Sequence, residues 1–148
     1  MKIAIASDHG GINIREEIKK LMDEMKIDYI DFGCECDTSV DYPDYALPVA
    51  EKVANGEVDR GILICGTGIG MSIAANKVNG IRCALAHDVF SAKVTRQHND
   101  SNILAMGERV IGSGLALEIA KVWLTTEFEG GRHERRVNKI TEIEKSNS

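Results

Sequence analysis

Short apolar runs and longer stretches with a helical repeat alternate along this chain. KIAIAS at 2–7 is apolar, rich in isoleucine and ends at a turn, which predicts a strand. GINIREEIKKLMDEMK at 11–26 sets Ile14, Ile18, Leu21, Met22 and Met25 at helical spacing and predicts a helix. DYIDFG at 28–33 predicts a second strand, and 42–54 a helix with Ala46, Val49, Ala50 and Val53 on one face. RGILIC at 60–65 is nearly continuous in apolar residues, as a strand buried on both faces should be. The order then continues as helix 69–78, strand 81–86, helix 88–97, strand 102–107, helix 114–124 and helix 134–145. Only a polar tail, about 144–148, falls outside the pattern.

Five alternations of strand and helix predict one α/β domain over 1–148, a parallel sheet with helices on both faces. In such sheets ligands bind beyond the carboxyl ends of the strands. Four places therefore come into question: Ser7-Asp8-His9, Cys65-Gly66-Thr67, His87-Asp88 and Met106-Gly107. No internal repeat or linker interrupts the chain.

Composition narrows the function. Aromatic residues are 5%, so the core must be aliphatic, and the formal net charge of -5 argues against a nucleic-acid partner. No leader-like segment and no apolar run of roughly 20 residues is present, which predicts a soluble, cytoplasmic protein with no membrane partner. In that compartment the four cysteines should be reduced thiols. Cys34 and Cys36 stand two apart rather than in a CxxC pair, so no metal is expected.

The stretch ILICGTGIGMSIAAN at 62–76 is the most informative. Gly66, Gly68 and Gly70 strip a strand-to-helix turn of side chains, so peptide N–H groups can converge on an anion or a developing oxyanion. The phosphate-loop pattern GxxxxGK[ST] is absent, and the dinucleotide pattern GxGxxG fails at Met71, although Asp88 lies at a plausible distance for a ribose contact. Cys65 sits at the lip of this loop. A helix N-terminus favours the thiolate, so Cys65 reads either as a nucleophile or base, or as a small inert core residue.

SDHGG at 7–11, DYPDYA at 41–46, GILICGTGIGMSIAANKVNGIRCAL at 61–85, RQHNDSNILAMGERVIG at 96–112 and GGRHERRV at 130–137, in this order, resemble the type B ribose-5-phosphate isomerases. This family includes relatives acting on galactose 6-phosphate. The resemblance covers residues 1 to about 145 and implies a Rossmann-like α/β/α sandwich with a five-stranded parallel sheet. It implies interconversion of ribose 5-phosphate and ribulose 5-phosphate without metal or organic cofactor. It also implies a homodimer, or a tetramer built from dimers, with active sites shared between subunits.

The resemblance makes Cys65 the base that takes the C2 proton, since MSIAAN after the loop holds no carboxylate to replace it. It makes Gly66, Thr67, Gly68, Ile69 and Gly70 the oxyanion loop, with Thr67 moving a proton between O1 and O2 or capping the next helix. His98 would help open the sugar ring and Asn99 bind substrate, both from the neighbouring subunit. Without the resemblance, His98 reads as a solvated loop residue. Asp8 and His9 would hold sugar hydroxyls and phosphate, though Asp8 also suits a helix cap. Arg132 and Arg136, four apart, would share a helical face and clamp the phosphate, joined by Arg109. Arg135 reads as solvated, His133 as either surface or phosphate contact, and His87 as structural. The competing readings are a six-carbon sugar phosphate, a non-catalytic nucleotide- or phosphate-binding domain, and a thiol or zinc protein built on Cys34 and Cys36.

Overall fold

Isoleucine and alanine alternate along the first strand, β1 (Lys2–Ser7), and that alternation organises the whole protein. Successive side chains of a strand point to opposite faces. Ile3 and Ile5 face one helical layer, and Ala4 and Ala6 the other. The computed structural model describes all 148 residues. The remaining strands are β2 (Asp28–Asp31), β3 (Arg60–Cys65), β4 (Cys83–Leu85) and β5 (Ile103–Gly107). All five are parallel, in the order β2-β1-β3-β5-β4.

The helices are α1 (Ile12–Glu24), α2 (Pro43–Ala54), α3 (Ile69–Ala75), α4 (Val89–Asn99), α5 (Ser113–Thr125) and α6 (Arg132–Ser146). On one face Ile14, Ile18 and Met22 of α1 and Ile119 and Trp123 of α5 pack on Ile3, Ile5, Ile62, Ile64 and Leu104. On the other, Val49 and Val53 of α2 and Met71 of α3 pack on Ala4, Ala6, Leu63 and Cys65. The small residues on this second face let α2 come close. A Cβ at Gly61 would fall 2.6 Å from Val49 Cγ1, so glycine is required there. The chain leaves β1 for β2 on one side and returns to β3 on the other. The crevice where the order reverses therefore opens at the carboxyl ends of β1 and β3.

The sandwich and its five parallel strands match the sequence expectation, and several boundaries shift for identifiable reasons. α3 stops at Ala75, three residues early, because the Asn76 side chain bonds both the N–H and the C=O of Cys83 and turns the chain into β4. α4 runs on through His98 and Asn99 to a left-handed cap at Asp100, so His98 is helical and not on a loop. α6 continues to Ser146, so residues 144–146 of the expected tail are helical. The side chains of Cys34 and Cys36 face each other. The turn after Gly33 leaves their Cα atoms 5.2 Å apart, within bridging reach.

Candidate active site

Three chain segments meet at the crevice between β1 and β3. Gly10 lies against the glycine loop, since a Cβ there would fall 3.1 Å from Gly66 N. Gly11 lies against the end of β3, with Ile64 O 2.6 Å from its would-be Cβ. Asp8 is buried, and its Oδ1 accepts the Gly10 N–H at 2.8 Å. The carboxylate thus tightens its own turn and caps no helix. The α1 N-terminus is capped from far away: Glu108 Oε1 accepts the Ile14 N–H at 2.7 Å. His9 is exposed, and its Nδ1 accepts the Val40 N–H at 3.1 Å, which leaves Nε2 facing outward.

The glycine loop holds the thiol. Gly68, left-handed at φ 76°, donates its N–H to Cys65 Sγ at 3.0 Å. Cys65 is 5% exposed, so its sulfur lies under the loop rather than in open solvent. Thr67 is exposed and its Oγ1 accepts the Ile69 N–H at 3.2 Å in a local turn one residue ahead of the Gly68 N-cap, which leaves the hydroxyl proton free to donate. Ile69 and Gly70 form the first turn of α3. Tyr42 covers Gly70, whose would-be Cβ lies 2.5 Å from the ring, so this glycine makes room for an aromatic lid. The Arg109 side chain lies over Gly66, and its guanidinium has no hydrogen-bond or ion-pair partner in the chain.

A second cluster sits at the far end of α4. Helix α4 runs back from the carboxyl end of β4, and 11 residues carry it about 16 Å. Asn99 arrives beside Arg82, which precedes β4: Arg82 Nε donates to Asn99 O at 3.0 Å. His98 and Asn99 therefore stand at the amino ends of the strands. There they line a cavity of about 260 Å³ with Arg132, His133 and Arg136 of α6. The His98 and His133 rings stack with centroids 4.1 Å apart and planes 8° from parallel. Glu129 Oε1 approaches His133 Nε2 at 3.5 Å and His98 Nε2 at 3.9 Å. Burial holds the His133 imidazole below its ordinary value, reinforced by His98 and Arg132. His98, Glu129 and His133 could each offer one ligand atom. A metal, however, needs lone pairs lying in both ring planes to converge, and parallel stacked planes do not meet. Arg132 and Arg136 share one face of α6 and have no partner for their guanidinium groups, unlike Arg15, Arg60, Arg82 and Arg96.

A family model described as Ribose/Galactose Isomerase matches residues 3–140. The chain belongs to the ribose/galactose isomerase family. YwlF of Bacillus subtilis, a candidate sugar phosphate isomerase, is 76% identical over 148 residues, covering 99% of both chains. Ribose-5-phosphate isomerase B of Escherichia coli is 51% identical over 143 residues, covering 97% of this chain and 96% of its own. The structure of Clostridium thermocellum ribose-5-phosphate isomerase B superposes with a TM-score of 0.98 at 57% identity over the full length of both.

In this isomerase-family chain the residues singled out from sequence fall into two groups. Asp8, His9, Cys65 to Gly70 and Arg109 gather at the carboxyl ends of the strands. His98, Asn99, Arg132 and Arg136 gather at the amino ends. Within one chain Arg109 therefore stands at the opposite end of the sheet from Arg132 and Arg136. Asp88 caps α4, its Oδ1 accepting the Ser91 N–H at 2.6 Å, so it is not poised for a ribose. Sequence reasoning passed over Tyr42 and Glu108. An aromatic just ahead of a proline-initiated helix was the available signal for Tyr42. Nothing local marks Glu108, whose partner is 94 residues away.

Proposed function

We propose that this chain is an aldose–ketose isomerase that interconverts ribose 5-phosphate and ribulose 5-phosphate through an enediolate, acting in the cytoplasm in the non-oxidative pentose phosphate pathway. One observation carries the reading. The Cys65 sulfur is held by the Gly68 amide inside a loop nearly free of side chains, next to Asp8, His9 and an unpaired Arg109.

The chemistry asks for a base at C2 and for something to meet the charge on O1 and O2. Cys65 takes the C2 proton and returns it to C1. Peptide N–H groups of residues 66–70 meet the oxyanion, the kind of donor whose loss typically costs ~2.7–4 kcal/mol. Thr67 passes the hydroxyl proton from O2 to O1. No metal or organic cofactor enters these steps. Ring opening falls to His98, and substrate binding to Asn99, Arg132 and Arg136. Because this second group stands at the opposite end of the sheet, one chain supplies only part of the set. A homodimer, alone or paired into a tetramer, completes it when the partner lays its amino-end cluster over the glycine loop. A two-fold axis then makes two equal sites.

The test offers the purified protein ribose 5-phosphate, allose 6-phosphate and galactose 6-phosphate in parallel, with and without EDTA. Ribose 5-phosphate should give the highest kcat/KM, and EDTA should change nothing. A six-carbon sugar phosphate is the second reading, favoured by a family description that spans galactose as well as ribose. A clear preference for either hexose phosphate would establish it over the first.

A further inference from the structure

The glycine loop does not hold its shape alone. Residues 107–109, the strap leaving β5, hold it from outside. Glu108 N–H donates to Cys65 O at 2.9 Å, and Arg109 N–H donates to Gly66 O at 3.0 Å. The contact at the head of the strap is steric. A Cβ on Gly107 would fall 2.5 Å from the Thr67 carbonyl carbon, and a Cβ on Gly68 would fall 2.7 Å from the Met106 carbonyl carbon. The Met106–Gly107 peptide is therefore wedged directly against Thr67 and Gly68, and Gly68 is the residue whose N–H holds the sulfur.

That peptide lies in register with β3, and its N–H is taken by one side chain. Gly107 N–H donates to His87 Nε2 at 3.0 Å. A backbone N–H can only donate, so Nε2 must carry a lone pair and the imidazole must be neutral, with its proton on Nδ1. We infer that His87 is a positioning residue for the reaction at Cys65: its neutral imidazole, through the Met106–Gly107 peptide, sets where Gly68 and the thiol stand. This rests on the reading of the loop as the reaction centre.

The surroundings suit the role. His87 is partly buried, and burial lowers its affinity for a proton while Asp88 beside it acts in the opposite sense. The Met106–Gly107 peptide that it bonds brings no charge. The Glu108 carboxylate is turned to Ile14, and the Arg109 side chain lies over Gly66. The imidazole is thus neutral at pH 7. As pH falls below about 6.5 toward its lowered value it gains a proton. Nε2–H then faces the Gly107 N–H, that bond is lost and the head of the strap loses its side-chain anchor, while the Glu108 and Arg109 amides still hold the loop.

The test pairs a structural readout with a kinetic one. In the wild-type protein, the Gly107 amide resonance and its exchange rate are followed from pH 8 to pH 5. They should titrate together with the His87 ring. In His87→Gln the side-chain oxygen can accept the same N–H and does not titrate. Turnover at pH 8 should stay within about threefold of wild type and the Gly107 titration should vanish, while His87→Ala should lower kcat about tenfold with KM little changed. Kinetics are run from ribulose 5-phosphate, an open-chain sugar, so that ring opening does not add its own pH limb. In His87→Gln the fall of kcat toward acid should move to lower pH. An unchanged acid limb in that variant, or a Gly107 amide indifferent to pH, would overturn the inference. Absence of turnover on any sugar phosphate would instead overturn the functional reading and leave the Gly107 titration standing.

Discussion

The two ends of the sheet are built differently. At the carboxyl ends the groups are fixed by backbone: Asp8 by its own turn, Cys65 by Gly68, the loop by the strap 107–109. At the amino ends the groups are long side chains on the surface of α4 and α6, stacked or unpaired, and mostly exposed. Rigid peptide suits the place where charge must be met at a set distance. Mobile guanidinium and imidazole groups suit the capture of a phosphate and the exchange of a proton. On the proposed reading the carboxyl end supplies the base and the amino end grips, and a second copy would bring the two together.

The largest expected effect lies at the rigid end. Cys65→Ala should lower kcat by about 10²–10⁴, the usual contribution of a positioned base, with KM little altered because the phosphate is held elsewhere. Single-turnover kinetics with ribose 5-phosphate would show it. A variant with near-normal kcat would shift the chemistry away from the sulfur and erase the contrast between the two ends.

Mixing subunits tests the contrast directly. Cys65→Ala spoils the carboxyl-end half of a site and His98→Asn the amino-end half. Each homodimer should be nearly inactive, yet co-refolding the two in equal amounts should restore about a quarter of wild-type activity, since half of the dimers are mixed and each holds one intact site. No recovery, with mixed dimers shown to form, would mean that both halves of a site come from one chain.

The next two effects are smaller and differ in kind. Gly107→Ala drives a methyl into the Thr67 backbone, so the loop or the strap must shift, at about 1–3 kcal/mol of stability together with a fall in kcat. Calorimetry and turnover on the same sample check both. Arg136→Ala removes an exposed guanidinium and should raise KM about 10- to 100-fold with kcat close to wild type, as expected of a charge-assisted contact made equally in ground and transition states. A pure kcat loss would give the amino-end cluster a chemical rather than a gripping role.

Much of this was legible in the sequence, and what was not has a common cause. The isoleucine–alanine alternation of β1 and the glycines at 66, 68 and 70 are local patterns, so the sheet, its layers and the loop could be read residue by residue. Separation of the site into two ends follows from α4 running antiparallel to the strands, which neither RQHND nor RHERR reveals alone. His87 read as structural, and its hold on a peptide 20 residues away becomes visible only once β4 and β5 lie side by side. Glu108 is the same case on a longer scale, a cap whose helix lies at the other end of the chain. Contacts between distant segments carry no periodicity.

The smallest effect belongs to Glu129. It is half exposed and touches His98 and His133 only at 3.9 and 3.5 Å, so it should act as a weak surface partner to the pair. Glu129→Gln should change kcat by less than about fivefold. Its signature should be elsewhere. Glu129 is the group that raises the proton affinity of His133 against burial, His98 and Arg132, so its loss should push the His133 titration still lower. With the folded value already below the unfolded one, the protein binds fewer protons than its unfolded chain as pH drops beneath about 6.5, and stability declines there. The variant should widen that window on the acid side, seen as a lower midpoint for the His133 ring in NMR and a steeper loss of Tm between pH 6.5 and pH 5 than in the wild type. A midpoint unmoved by the substitution would mean that the carboxylate faces solvent, leaving the amino-end cluster governed by its arginines alone.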